Sequence, residues 1–257
     1  MNSYVNPSDI PSNVEFDQLR NVWREALAQD DDLRMKSVEL QLLAERHRFT
    51  YQHEWLGVPI IRLPDDIFLQ QQIVNKLKPT AIIETGVARG GSLILSASLL
   101  EINSLNVNVL GLDLLIMPHA KEAILNSRYA KQVSLWEGDS SSSDAHEVVA
   151  AYIDRNSLDG PVLLVLDSDH SENHVLNELN NFSNLLPVGS LVMVADTIIE
   201  EFPLDYYQNR PWNVGNNPLT AVRKFLTKDT RFSAADNWNR RALTSEFRDG
   251  IIKKDRL

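Results

Sequence analysis

Residues 84–92, Glu-Thr-Gly-Val-Ala-Arg-Gly-Gly-Ser, place a carboxylate, three glycines and a hydroxyl where an apolar run gives way to a helical one. Glycines at such a turn let backbone approach a ligand closely. The spacing is not the G-x-G-x-x-G of a dinucleotide turn, because Val87 and Ala88 follow Gly86. A pyrophosphate wants two glycines early in the turn and a helix N-terminus. An acid just ahead of the turn suits a cationic or amine-bearing ligand without phosphates. S-adenosylmethionine, with its sulfonium and α-amino groups, fits that description. Glu84, Gly86, Gly90, Gly91 and Ser92 are therefore candidate cofactor residues; the competing reading of the glycines is tight packing at a helix start.

Acids then recur after later apolar runs: Asp113, Asp139 beside Ser140, Asp167 in Asp-Ser-Asp-His, and Asp196. Asp113 is placed to accept ribose hydroxyls, or is simply an exposed turn residue. Asp139 and Ser140 would flank an adenine. His170 is the best candidate base, because an unperturbed imidazole exchanges its proton near neutrality, unless this one only hydrogen-bonds its own loop. His174, one helical turn on, reads as packing or support. His53 and Trp55 read as packing residues that could also cap the cleft, and Gln-Asp-Asp-Asp at 29–32 as a solvated turn.

These acids need a scaffold that gathers them. Short apolar runs at 80–84, 107–112, 132–136, 161–166 and 190–194 alternate with helical stretches at 67–77, 91–101, 118–130, 142–156 and 172–184. Continuous apolar strands between helices indicate a parallel sheet covered on both faces. Ligands of such sheets bind beyond the carboxyl ends of the strands, where these acids fall. Residues 16–47 read as a helical extension, 1–14 as a loose arm and 50–66 as an extended connector. Residues 197–216 form a polar, aromatic loop suited to cover a substrate, followed by a helix. The segments at 231–239 and 242–255 are expected to close the fold as an antiparallel hairpin.

The chain has 257 residues, a net charge of −10 and no cysteine. The acidity argues against nucleic acid held through phosphates. No apolar run approaches a membrane span, and the amino terminus does not read as a signal peptide. The absence of cysteine excludes disulfides, thiolate metal sites and a thiol nucleophile. The expected setting is the cytoplasm.

Residues 55–100, together with "GLDL", "WEGDSSS", "LLVLDSDHSENHVLNEL", "GSLVMVADT" and "NPLTAVRKFL", resemble the cephalosporin hydroxylase family. That resemblance implies a Rossmann-like class I methyltransferase fold of the α/β class, with a mostly parallel seven-stranded sheet, helices on both faces and an amino-terminal helical extension. It divides the chain into an extension, 1–60, and a cofactor-binding domain, 61–257. It also implies S-adenosylmethionine at the glycine loop and, as in catechol-type O-methyltransferases, Mg2+ held by Asp167 and Asp196. An acid is expected at position 195 as well, and Ala195 stands there. The implied reaction is O-methylation of a small-molecule hydroxyl, on a sugar or secondary metabolite, with Asp167 and His170 as catalytic groups. The alternatives are a non-catalytic cofactor-binding protein, which Ala195 favours, and a nicotinamide enzyme, which the glycine spacing disfavours. A homo-oligomer is expected from the amphipathic extension.

Overall fold

The computed structural model describes residues 11–156 and 160–257; most of the expected arm over 1–14 lies outside them. The helical extension is two helices, not one. Helix α1 (Asn13–Ala28) starts with a capping box between Ser12 and Glu15, and α2 (Asp31–Glu45) starts at Asp30, whose side chain accepts from the Leu33 amide. The aspartate run is thus a helix start, where acids offset the helix dipole. Helix α1 buries no residue, whereas α2 packs Val38 against Ile198 and Phe202.

The connector folds into a small antiparallel ribbon, β1 (His53–Trp55) and β2 (Val58–Ile60), ahead of α3 (Pro64–Leu77). Trp55 is a packing residue: its indole N–H donates to Ser98 at 2.9 Å.

The predicted alternation is present. Strands β3 (Ala81–Thr85), β4 (Val109–Asp113), β5 (Val133–Glu137), β6 (Val162–Leu166) and β7 (Leu191–Val194) are parallel, and β8 (Phe232–Ala234) and β9 (Ile251–Lys254) add antiparallel to the far side. The order is β5-β4-β3-β6-β7-β9-β8. Every residue of β3, β6 and β7 is buried, as strands covered on both faces require. One face packs α3 and α4 (Gly91–Ile102); α4 is apolar on nearly all sides because the ribbon covers its outer flank. The other face packs α6 (Ser143–Asn156), α7 (Glu172–Ser183) and α8 (Pro218–Lys228). A further helix, α5 (Pro118–Asn126), follows β4.

The chain leaves β3 toward β4 on one side and returns on the other at β6, so the sheet's switch point lies between β3 and β6. The closing hairpin is looser than expected. A short helix, α9 (Asp236–Asn239), follows β8, and the strand expected over 242–255 is confined to its end. Residues 244–246 instead bond the start of α3, with Thr244 on Asp65 and Ser245 and the Glu246 amide on Asp66. Those tertiary bonds satisfy the backbone where a strand partner is missing.

Candidate active site

A cavity of about 610 Å³ opens at the switch point, lined by the ends of β3 to β7, by α2 and by the loop after β7. Gly86 forms its floor with φ +89°, and a Cβ there would sit 1.9 Å from the Asp167 carbonyl oxygen. Gly91, opening α4, approaches Pro59 so closely that a Cβ would lie 2.3 Å from its carbonyl oxygen. The glycines therefore serve both purposes: they bring backbone into tight contact and leave a concave turn. Gly90, with φ +86°, caps α4.

The donor-side acids are arranged less simply than expected. Asp113 lines the cavity, but Oδ2 accepts from the amides of Val87 at 2.7 Å and Ala88 at 3.3 Å, and Oδ1 from Leu115. It is neither a bare turn residue nor a free ribose ligand, because it also holds the glycine turn. Asp139 accepts from the Ser141 amide and hydroxyl, which hold its carboxyl below the usual range. Glu84 does not line the cavity. It is fully buried, Ser92 donates to one oxygen, and the other has no hydrogen-bond partner among the described residues. Ser140 lines the cavity and joins a cluster in its wall: His174 Nε2 lies 3.2 Å from its hydroxyl and 3.0 Å from that of Ser168, with Glu178 beneath. His174 is thus a supporting residue that also lines the cavity.

Asp167, His170 and Asp196 converge, with one ligand atom from each within 4.8 Å of the others. His170 Nδ1 is 3.2 Å from Asp196 Oδ2, and the ring meets the Trp212 indole edge-on at 4.8 Å. Asp196 reaches inward from a left-handed backbone conformation, φ 55°, a strained state that clusters at functional sites. Ala195 is 2 % exposed and packs in the core, so it contributes no ligand. None of the other acids near the fifth strand replaces it. Asp169 caps its own turn at Ser171, Glu200 holds Gly215 and Asn217, and Glu201 pairs with Arg34 and Arg248. Two carboxylates and an imidazole are nonetheless a donor set that fits a divalent cation.

Three buried or half-buried residues escape sequence reasoning. Arg62, fully buried, donates to Gln70 at 2.5 Å and reaches Asp167 at 3.4 Å. Asp66 is buried beneath it, and Glu246 lines the cavity from the carboxy-terminal segment. No local signal marks them: Arg62 sits in a bend between β2 and α3, and Glu246 is held by distant segments, its amide donating to Asp66 and its carbonyl accepting from the Thr197 amide and hydroxyl. This crowd of carboxylates around one guanidinium has a cost. Burial pushes Asp66 up to about 7, against Ser245, the Glu246 amide and Arg62; burial and the neighbouring Asp196 push Asp167 up to about 7. Burial and the charges of Asp196, Asp66 and Asp167 raise Glu246 as well.

These raised carboxyls make stability depend on pH. The folded state binds more protons than the unfolded one between the ordinary carboxylate value, 3.8, and about 7. The stability these groups contribute is fully present below that window and is lost as pH rises through it toward 7. Metal-free protein is expected to melt several degrees higher at pH 5.5 than at pH 8, since a tenfold difference in proton affinity between folded and unfolded states is worth about 1.4 kcal/mol. A flat melting profile across this range would show that the acids are solvated.

A glycine turn at the switch point of a seven-stranded sheet, with the last strand pair antiparallel, defines the class I methyltransferase fold. Within that class the description "Rhamnosyl O-methyltransferase/CmcI" matches residues 47–255, and the chain belongs to this family, in agreement with the cephalosporin hydroxylase resemblance. A rhamnosyl O-methyltransferase of Mycobacterium bovis (strain BCG / Pasteur 1173P2) is 30 % identical over 152 residues, 58 % of this chain and 59 % of its own length. One from Mycobacterium leprae (strain TN) is 26 % identical over 153 residues, 58 % of this chain and 62 % of its own. The chain thus spans about three fifths of the length of the curated relatives it matches. Among solved structures, an apo form of CmcI superposes with a TM-score of 0.59 at 19 % identity, over 82 % of this chain and 78 % of that one. A CmcI structure with Mg and SAM superposes with 0.56, also at 19 %, over 81 % and 78 %.

Proposed function

We propose that this protein transfers the methyl group of S-adenosylmethionine to a hydroxyl oxygen of a small molecule, a sugar or another secondary metabolite. The observation that carries this reading is the convergence of Asp167, His170 and Asp196 beside the glycine turn, in one cavity large enough for donor and acceptor together. The names of the mycobacterial relatives and the Mg and SAM held by CmcI support it.

In this reading the turn from Glu84 to Ser92 holds the methionine part of the donor, and the buried Glu84 carboxylate favours its positive charge. Asp113 retains lone pairs for the ribose beside its amide bonds, and Asp139 and Ser140 flank the adenine. Bound there, S-adenosylmethionine supplies an electrophilic methyl group on a sulfonium. His170, oriented through Nδ1 by Asp196, would take the acceptor hydroxyl's proton on its other ring nitrogen, so that the oxygen bonds the methyl carbon in line as the methyl–sulfur bond breaks and S-adenosylhomocysteine leaves as a neutral thioether. Asp167 and Asp196 would hold a divalent cation beside His170, and such an ion lowers the pKa of a bound hydroxyl. Tyr207 and Trp212, from the loop after β7, bound the acceptor side.

His170→Gln is expected to lower kcat about a hundredfold with donor affinity intact, measured by single-turnover methyl transfer and calorimetry. The reading as a whole is tested by calorimetry with S-adenosylmethionine and by label transfer to methyl rhamnoside with and without Mg2+. Absence of donor binding would sink it. Donor binding without transfer to any hydroxyl acceptor would favour the accessory protein that Ala195 suggests. A cytoplasmic setting belongs to the same proposal. So does a homo-oligomer, for which the exposed Phe16, Val22 and Trp23 of α1 offer a surface. Among the described residues no helix is long and apolar enough to cross a membrane.

A further inference from the structure

Helix α2 lies ahead of the residues that the family description covers, yet it forms part of the cavity wall through Gln41 and Glu45. Its position is fixed by more than apolar contact. Arg34 pairs with Glu201 and with Asp249 at 2.8 Å, and Arg248 donates to the Ser37 hydroxyl at 2.6 Å. Val38, Leu42 and Tyr207 complete the seam with Ile198 and Phe202. The helix is therefore clamped to the loop after β7, on the side of the cavity away from Asp113 and Asp139.

Gln41 is out of place on that seam. It lies between Val38 and Leu42 on the packed face, where packing alone would select leucine or methionine. It is 5 % exposed, and its carbonyl oxygen is shut off from solvent with no hydrogen-bond partner among the described residues. Buried amides are rarely left unpaired, because such an oxygen loses water and gains nothing in return. The neighbouring Glu45 is no donor and is already engaged by Thr50, whose amide lies at 3.0 Å. Gln41 lines the cavity, so a donor bound there is within reach of the amide once it turns. The terminal torsion of glutamine is soft, so the amide turns toward the cavity without moving the helix.

We infer that α2 is the roof of the acceptor subsite and that Gln41 is a specificity residue, hydrogen-bonding a hydroxyl of the acceptor other than the one that receives the methyl group. This rests on the methyl-transfer reading for its chemistry. It selects acceptors with several hydroxyls held around a saturated ring, for which a neutral amide deep in the wall is a suitable partner. A flat acceptor whose hydroxyls all point at Asp167 and His170 has no donor for it.

The test uses the full chain loaded with S-adenosylhomocysteine, with methyl rhamnoside and catechol as probes. Binding is read by calorimetry or saturation-transfer NMR, so it does not depend on turnover. Gln41→Met, nearly the same shape without the amide, is expected to weaken methyl rhamnoside about tenfold, as loss of one neutral hydrogen bond should, and catechol less than twofold. Affinity for S-adenosylhomocysteine should stay the same. The melting temperature of the free protein should hold or rise, because an unpaired buried amide has been removed. Rhamnoside affinity within twofold of wild type, equal losses for both probes, or a fall in melting temperature together with donor affinity would each overturn the inference. The last would mark Gln41 as a structural residue, and Gln41→Leu provides a second reading of it. Failure of the wild type to bind methyl rhamnoside would also overturn it. Binding without methyl transfer would sink the catalytic reading alone.

Discussion

Gly86→Ala is expected to cost about 3–5 kcal/mol of stability and to abolish measurable binding of the methyl donor. Two penalties combine. At φ +89° a side chain is strained, by roughly 1–2 kcal/mol. The new Cβ would also fall 1.9 Å from the Asp167 carbonyl oxygen, a backbone atom at the end of a central strand that cannot step aside. Relief requires β3 and β6 to part at their carboxyl ends, and the cavity floor is built there. The loss corresponds to a fall of about 6–20 °C in melting temperature for a chain of this size. Gly189→Ala separates the two penalties: its φ is +90°, but nothing lies within 4 Å of the added carbon. That variant should lose only the conformational part and keep full donor affinity. Equal melting temperatures for the two variants would mean that the strands do not meet this closely.

Asp167→Asn is expected to lower kcat about a thousandfold, close to 4 kcal/mol of transition-state stabilisation, while donor affinity stays within about threefold. The melting temperature should hold or rise above neutral pH. The carboxylate is crowded by burial and by Asp196, against Arg62 at 3.4 Å, so a neutral amide of the same shape relieves repulsion. Opposite signs for activity and stability would identify a charge kept for chemistry at the expense of the fold. Single-turnover transfer, calorimetry with S-adenosylhomocysteine and thermal melts at pH 8 measure the three quantities. Unchanged activity would remove Asp167 from the mechanism.

Both variants concern residues that the sequence singles out, and that is no accident of this chain. Strands buried on both faces leave continuous apolar runs, so their ends, and the acids at those ends, can be counted directly. The ETGVARGGS turn is legible for the same reason: departure from G-x-G-x-x-G is a local fact. Capping is local too, yet Asp30 reads as part of a solvated turn when it is a helix cap, because the helical run continues on both sides of it.

The remainder requires packing. Asp113 is expected to meet a ribose, but the amides of Val87 and Ala88 use much of its capacity, and nothing in the spacing announces a bond from a strand end to a neighbouring turn. Ser140, expected on the adenine side, lines the cavity and is also tied to Ser168 and His174. Arg62 and Asp66 flank the start of α3, whereas Glu246 comes from an irregular segment near the carboxy terminus, and only the fold makes them one network.

By itself, then, the sequence determined the layered sheet, the glycine turn and the set of strand-end acids, because each follows from short-range periodicity and backbone sterics. Tertiary structure decided which of those acids face one another, which carboxylates are already occupied, and that α2 closes over the cavity. Those outcomes depend on burial and on contacts between distant segments, and such contacts leave no periodic trace along the chain.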